Sequence, residues 1–123
     1  MKALQNNIAL LFISSLLILF SFNTHANSYS KKHIKTNPLI FVHGGAGSAS
    51  QFESQAMRFT SNGYPHNKLY ALEYDSSFTI DTMLTVHSRL DDLITTVLAN
   101  TGSDKVDLMG HSLGTLVLQS YLN

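Results

Sequence analysis

The 123-residue sequence contains no cysteine. That absence excludes a disulfide framework, a thiolate metal site and lipidation of a cysteine near the amino end. Net charge is zero, from eight basic and eight acidic residues, and no block of like charge occurs. Nothing in the sequence therefore points to nucleic acid or to an acidic partner. The six histidines show no paired metal-ligand spacing such as His-Glu-x-x-His, so no metal site is expected. There is no internal repeat, and the length allows one domain at most.

What is present starts with location. Lys2 supplies early positive charge, residues 8–22 form an almost unbroken apolar run, and Asn23-Thr24-His25-Ala26 ends in a small residue. This is the three-part layout of a signal peptide over residues 1–26, with cleavage expected after Ala26. As a helix the apolar run is about 22 Å long, short of the roughly 30 Å of bilayer hydrocarbon. Ser14, Ser15 and Ser21 weaken it further as a span. No stable membrane span is expected after signal cleavage, an uncleaved anchor being the rival reading. The mature protein is expected to be exported, periplasmic or secreted. Residues 27–37, with Lys31, Lys32, His33 and Lys35, read as a flexible polar lead-in.

From residue 38 onward the pattern alternates. Leu39-Ile40-Phe41-Val42 is a continuous apolar run suited to a strand buried on both faces of a parallel sheet. Residues 51–62 are spaced as a helix, with Phe52, Gln55, Ala56 and Phe59 on one face and Gly63 as its stop. Residues 68–74 read as a second strand, broken at Asp75-Ser76-Ser77. The longest helix is expected over 79–100, its stripe being Ile80, Met83, Leu84, Leu90, Ile94, Val97 and Leu98. Gly102 closes it, residues 106–109 form a third strand, and an apolar helix follows. Strand and helix alternate three times, which defines an α/β unit with a parallel sheet and right-handed crossovers.

The chemistry concentrates in two turns. Gly110-His111-Ser112-Leu113-Gly114 lies between the third strand and the last helix, the order that a nucleophile elbow requires. Such an elbow holds its serine on a sharp, strained turn. Gly110 and Gly114 lack side chains where strand and helix draw together. The catalytic candidate is Ser112, against the alternative of a serine that only caps a helix. The second turn, His43-Gly44-Gly45, ends the first strand, and strand ends on one side of a parallel sheet share a face, so it can meet the elbow there. The N–H groups of Gly45 and Leu113 are candidates for an oxyanion hole; a phosphate-cradling loop or a plain strand-to-helix turn is the alternative reading. A phosphate loop would want Lys after its last glycine, where Ser48 stands nearby instead.

The other titratable residues read as structural. His111 is expected to point away from the Ser112 hydroxyl, His87 to lie at a helix boundary, and His66 to be exposed in a turn. Arg89, Asp91 and Asp92 read as the solvated side of a helix, and Asp75 as a loop-breaker that ends a strand.

With His43-Gly44-Gly45 after one strand and Gly110-His111-Ser112-Leu113-Gly114 after another, the chain from residue 38 to the end resembles the α/β-hydrolase fold, in its secreted lipase and esterase branch. The resemblance implies an incomplete three-layer α/β-hydrolase-like sheet of about three strands and three helices. It implies Ser112 as nucleophile, Gly45 and Leu113 as oxyanion donors, and lipase- or esterase-like hydrolysis of small-molecule or lipid esters, without a cofactor. Thr115 stands where many relatives carry a second glycine. The larger departure concerns the triad, which runs Ser, then Asp or Glu, then His in this family. Residues 113–123 contain no Asp, Glu or His. The expectation is an amino-terminal portion of a lipase, weakly active or inactive, whose third strand is an open edge that a partner chain could cover. Two other readings compete: a non-catalytic exported module, and an acyltransferase or thioesterase on the same scaffold.

Overall fold

A computed structural model describes residues 35–123. The signal peptide and most of the lead-in expected from the sequence lie outside the described residues.

Three parallel strands form the sheet: β1 (Leu39–Val42), β2 (Leu69–Leu72) and β3 (Asp107–Gly110), in the spatial order β2-β1-β3. β1 is the centre. Its four residues are all buried, which is why they read as an unbroken apolar run rather than an alternation. Leu39 pairs with Leu69 on one side and with Asp107 on the other, and the register continues to Val42 with Leu72 and Gly110. The outer strands are half-wet; β3 alternates exposed Asp107 and Met109 with partly buried Leu108 and Gly110.

Alternate residues of β1 feed two cores. Leu39 and Phe41 pack with Phe52 under α1 (Glu53–Ser61), where Phe41 stacks on Phe52 at 4.7 Å and meets Phe59 edge-on. A short 3₁₀ turn at Ala49–Phe52 leads into α1, and Gly63, at φ 88°, ends it as the sequence implies. Ile40 and Val42 face the opposite side. There they join Leu72, Tyr74, Val86, Leu90, Val97, Val117 and Leu118 beneath α2 (Met83–Thr101) and α3 (Leu113–Leu122).

The longest helix starts later than its apolar spacing predicts. Asp75 gathers the N–H groups of Ser77, Thr79 and Ile80 and the hydroxyls of Ser77 and Thr79, which holds residues 75–80 as a loop. The helix then begins at a Thr82–Thr85 capping box and ends at Gly102 in the left-handed region. Ile80 and Leu84, placed on the buried stripe by sequence, are 84% and 78% exposed; Val86 takes the core position. Arg89 is not merely solvated either, because it pairs at 2.9 Å with buried Asp81.

The topology positions the site. The chain leaves β1 for α1 on one face, crosses back past β1 to β3, and enters α3 on the other face. Crossovers of one hand that run in opposite directions must use opposite faces. The carboxyl ends of β1 and β3 therefore flank a crevice where strand order reverses, the place where open α/β sheets bind ligands.

Candidate active site

Ser112 ends the short turn between β3 and α3 with φ 51° and ψ −120°. A non-glycine residue at positive φ is strained unless its surroundings hold it. Here the holding is visible. His111 N–H donates to Val42 carbonyl at 3.0 Å, which extends the β1–β3 ladder one residue past the strand. Gly114 N–H donates to His111 carbonyl and Thr115 N–H to Ser112 carbonyl, both at 2.9 Å. The Thr115 hydroxyl adds a second bond to that Ser112 carbonyl at 2.6 Å. The Ser112 side chain makes no capping bond to α3, and its backbone is far from the extended conformation of an ordinary helix cap.

The flanking glycines are required by contact. A Cβ on Gly110 would lie 2.7 Å from the backbone of Gly114 and Thr115. One on Gly114 would press into the Val42 carbonyl and lie 2.7 Å from that of His43. Strand and helix thus cross backbone to backbone, and α3 starts directly behind Ser112 with its positive dipole end toward the crevice.

The turn after β1 closes the other side. A Cβ on Gly44 would meet the Ser112 Cβ and His111 Nδ1 at 3.1 Å, so the two turns are in contact. Gly45 lies beside the Leu113 side chain. Neither the Gly45 nor the Leu113 N–H has an acceptor among the described residues. His43 is fully buried, stacked on Tyr74 at 4.3 Å. Its Nδ1 donates to Gly44 carbonyl at 2.9 Å, and the Tyr74 hydroxyl donates to His43 carbonyl at 2.8 Å. Burial pushes the Tyr74 phenol above its ordinary value, so it stays a donor. Glu73 Oε1 is 3.5 Å from His43 Nε2, while its Oε2 accepts from Ala49 N–H at 2.8 Å. His43 is held within the turn by these contacts, and Gly44 is where the turn meets the elbow.

The remaining candidates separate cleanly. His111 turns from Ser112 toward Gln51, whose Nε2 is 3.2 Å from its Nδ1. His87 is half-buried and edge-on to Tyr121, and His66 is exposed, both as expected. Asp91 accepts from the Tyr121 hydroxyl, which with burial pushes that phenol up to about 12. Asp75 is a loop-former, its carboxyl held well below the usual range chiefly by the Ser77 hydroxyl and the Ile80 N–H. No imidazole among the described residues hydrogen-bonds the Ser112 hydroxyl, and none of them form a metal-ligand cluster. A cleft of about 140 Å³ lined by Phe41, Phe52, Leu69 and Ala71 lies over the α1 face of the sheet, away from the elbow. Sequence reasoning missed Gln51, Glu73 and Tyr74. Their partners are 60, 30 and 31 residues away, and no local pattern marks such pairs.

A protein-family model described as Lipase (class 2) matches residues 36–122, which includes both turns and all six elements.

Proposed function

The chain belongs to the class 2 lipase family, and from that premise we propose that it is a serine carboxylic-ester hydrolase with Ser112 as nucleophile. The observation that carries this reading is the Ser112 elbow, strained at positive φ and set against the Gly44–Gly45 turn. The Ser112 oxygen attacks the ester carbonyl carbon while its proton passes to a base. The carbonyl oxygen becomes an oxyanion that accepts from the Gly45 and Leu113 N–H groups. Collapse expels the alcohol, which takes the proton back from the base, and leaves an acyl-enzyme. Water then repeats the sequence and releases the acid. No cofactor enters.

The base is the missing part. His111 faces Gln51 and His43 is locked under Tyr74, so a histidine and its carboxylate have to come from outside these residues for full turnover. The 123-residue chain alone is expected to hydrolyse esters weakly or not at all without an added base. We place its action outside the cytoplasm, on the signal-like residues 1–26.

The test is release of p-nitrophenol from short- and long-chain esters, with imidazole added as an external base. Ser112→Ala is expected to abolish the imidazole-dependent rate; an undiminished rate in that variant would sink the proposal. A second reading, a non-catalytic module completed by a partner chain, draws on the exposed Met109, Leu116 and Leu122 along β3 and α3. It predicts no Ser112-dependent hydrolysis and a specific co-purifying chain.

A further inference from the structure

Gln51 stands where the two turns of the site approach each other. Its orientation follows from donor and acceptor chemistry. The Gly44 N–H can only donate, so the amide atom 3.4 Å from it is the carbonyl Oε1. That leaves Nε2 facing His111 Nδ1 at 3.2 Å. Nε2 also can only donate, so Nδ1 accepts and the imidazole proton resides on Nε2. One side chain thereby joins Gly44, the neighbour of Gly45, to His111, the neighbour of Ser112. The loop folds tightly around this amide: a Cβ on Gly47 would lie 2.8 Å from Gln51 Oε1 and 3.3 Å from His43 Nδ1.

We infer that Gln51 is a positioning residue whose amide bridges the turn after β1 to the elbow and so sets the separation of the Gly45 and Leu113 donors. This rests on the oxyanion reading above. Two N–H groups on separate turns stabilise one oxygen only when both are aimed at it. Losing one such donor costs about 10²- to 10³-fold in rate, and misplacing a group by about 1 Å costs up to roughly 100-fold. Among the described residues, no other side chain hydrogen-bonds His111 to the β1 turn. Gln51 is exposed, so its bridge competes with water and its loss is expected to cost less than a whole donor, about 10-fold.

The experiment compares wild type, Gln51→Ala and Gln51→Glu. Nitrogen-15 spectra of the histidine rings, recorded at pH 8.5, read the His111 tautomer. Wild type is expected to carry the proton on Nε2. Gln51→Glu puts a carboxylate acceptor opposite Nδ1 and is expected to move the proton to Nδ1. The second readout is the rate at which an alkyl phosphonate ester modifies Ser112, with imidazole as external base. Gln51→Ala is expected to slow it about 10-fold while initial binding of the reagent changes little. An Nδ1–H tautomer in wild type, or one indifferent to Gln51→Glu, overturns the bridge; these readouts stand even where Gln51→Ala fails to fold. Equal labelling of wild type and Gln51→Ala overturns the positioning role alone. A wild type that takes no label overturns the hydrolase reading and this role with it.

Discussion

Replacing Gly114 with alanine adds one methyl group at the crossing of α3 over β1. The added Cβ would press into the Val42 carbonyl and lie 2.7 and 2.8 Å from His43 oxygen and Val42 carbonyl carbon. All three are backbone atoms, two of them in the last residue of the central strand and one in the residue that follows it; that strand is buried on both faces and paired on both edges, so none can swing aside as a side chain would. The helix has to lift instead. Lifting it pulls Val117 and Leu118 from the core they share with Val42 and Leu72. Overpacking costs about 1–3 kcal/mol where side chains can adjust, and a backbone clash belongs at the upper end, about 3 kcal/mol. For a domain of 60–100 residues this corresponds to a drop in Tm of roughly 12–24 °C. Gly102→Ala is the control: a Cβ there meets nothing within 4 Å, but φ is 62°. Its cost is conformational only, about 1–2 kcal/mol. Thermal melts followed by circular dichroism should therefore rank wild type, Gly102→Ala and Gly114→Ala in falling order. A Gly114→Ala protein that melts with wild type would refute the claim that backbone contact dictates this glycine.

Two more predictions concern the loop before α2. Because hydrogen bonds hold the Asp75 carboxyl below its unfolded value of about 3.9, its contribution to stability is complete above that value and fades as pH falls toward the folded one. Asp75→Asn should flatten that acid dependence between pH 5 and pH 2; urea midpoints that fall in parallel with wild type would contradict the assignment. Asp81 is 4% exposed, and its carboxylate accepts from Arg89 and from the Asp75 N–H. Arg89→Met removes its charged partner and should cost about 1–3 kcal/mol by chemical denaturation, whereas a loss under about 0.3 kcal/mol would show the pair to be idle.

The parts legible in the sequence are those whose pattern is local. β1 announces itself because a strand buried on both faces has to be apolar at every position, as Leu39 to Val42 are. The elbow is legible because its two glycines answer a steric demand within five residues of chain. The start of α2 is not legible because Ile80, which lies before the helix, falls on the helical spacing of the stripe by coincidence. What decides that region is Asp75, a carboxylate whose five bonds reach forward over hydroxyl-rich residues and keep them out of the helix. Thr82 and Thr85 do carry a readable capping signature, but with a hydroxyl where Glu or Gln is usual. The site itself is half legible. That the Ser112 turn and the Gly44–Gly45 turn meet follows from motif and strand order, while the pairing of Gln51 with His111 depends on how the turns fold together.

An elbow that makes Ser112 a nucleophile, as proposed, and not a helix cap leaves its hydroxyl open to acylating and phosphonylating reagents. The most direct measurement is covalent labelling by an alkyl phosphonate ester, with imidazole supplied as base and the modified residue located by peptide mass spectrometry. A single adduct on Ser112 is expected, lost in Ser112→Ala and after heat unfolding. Label scattered over other hydroxyls, or equal in folded and unfolded protein, would contradict it.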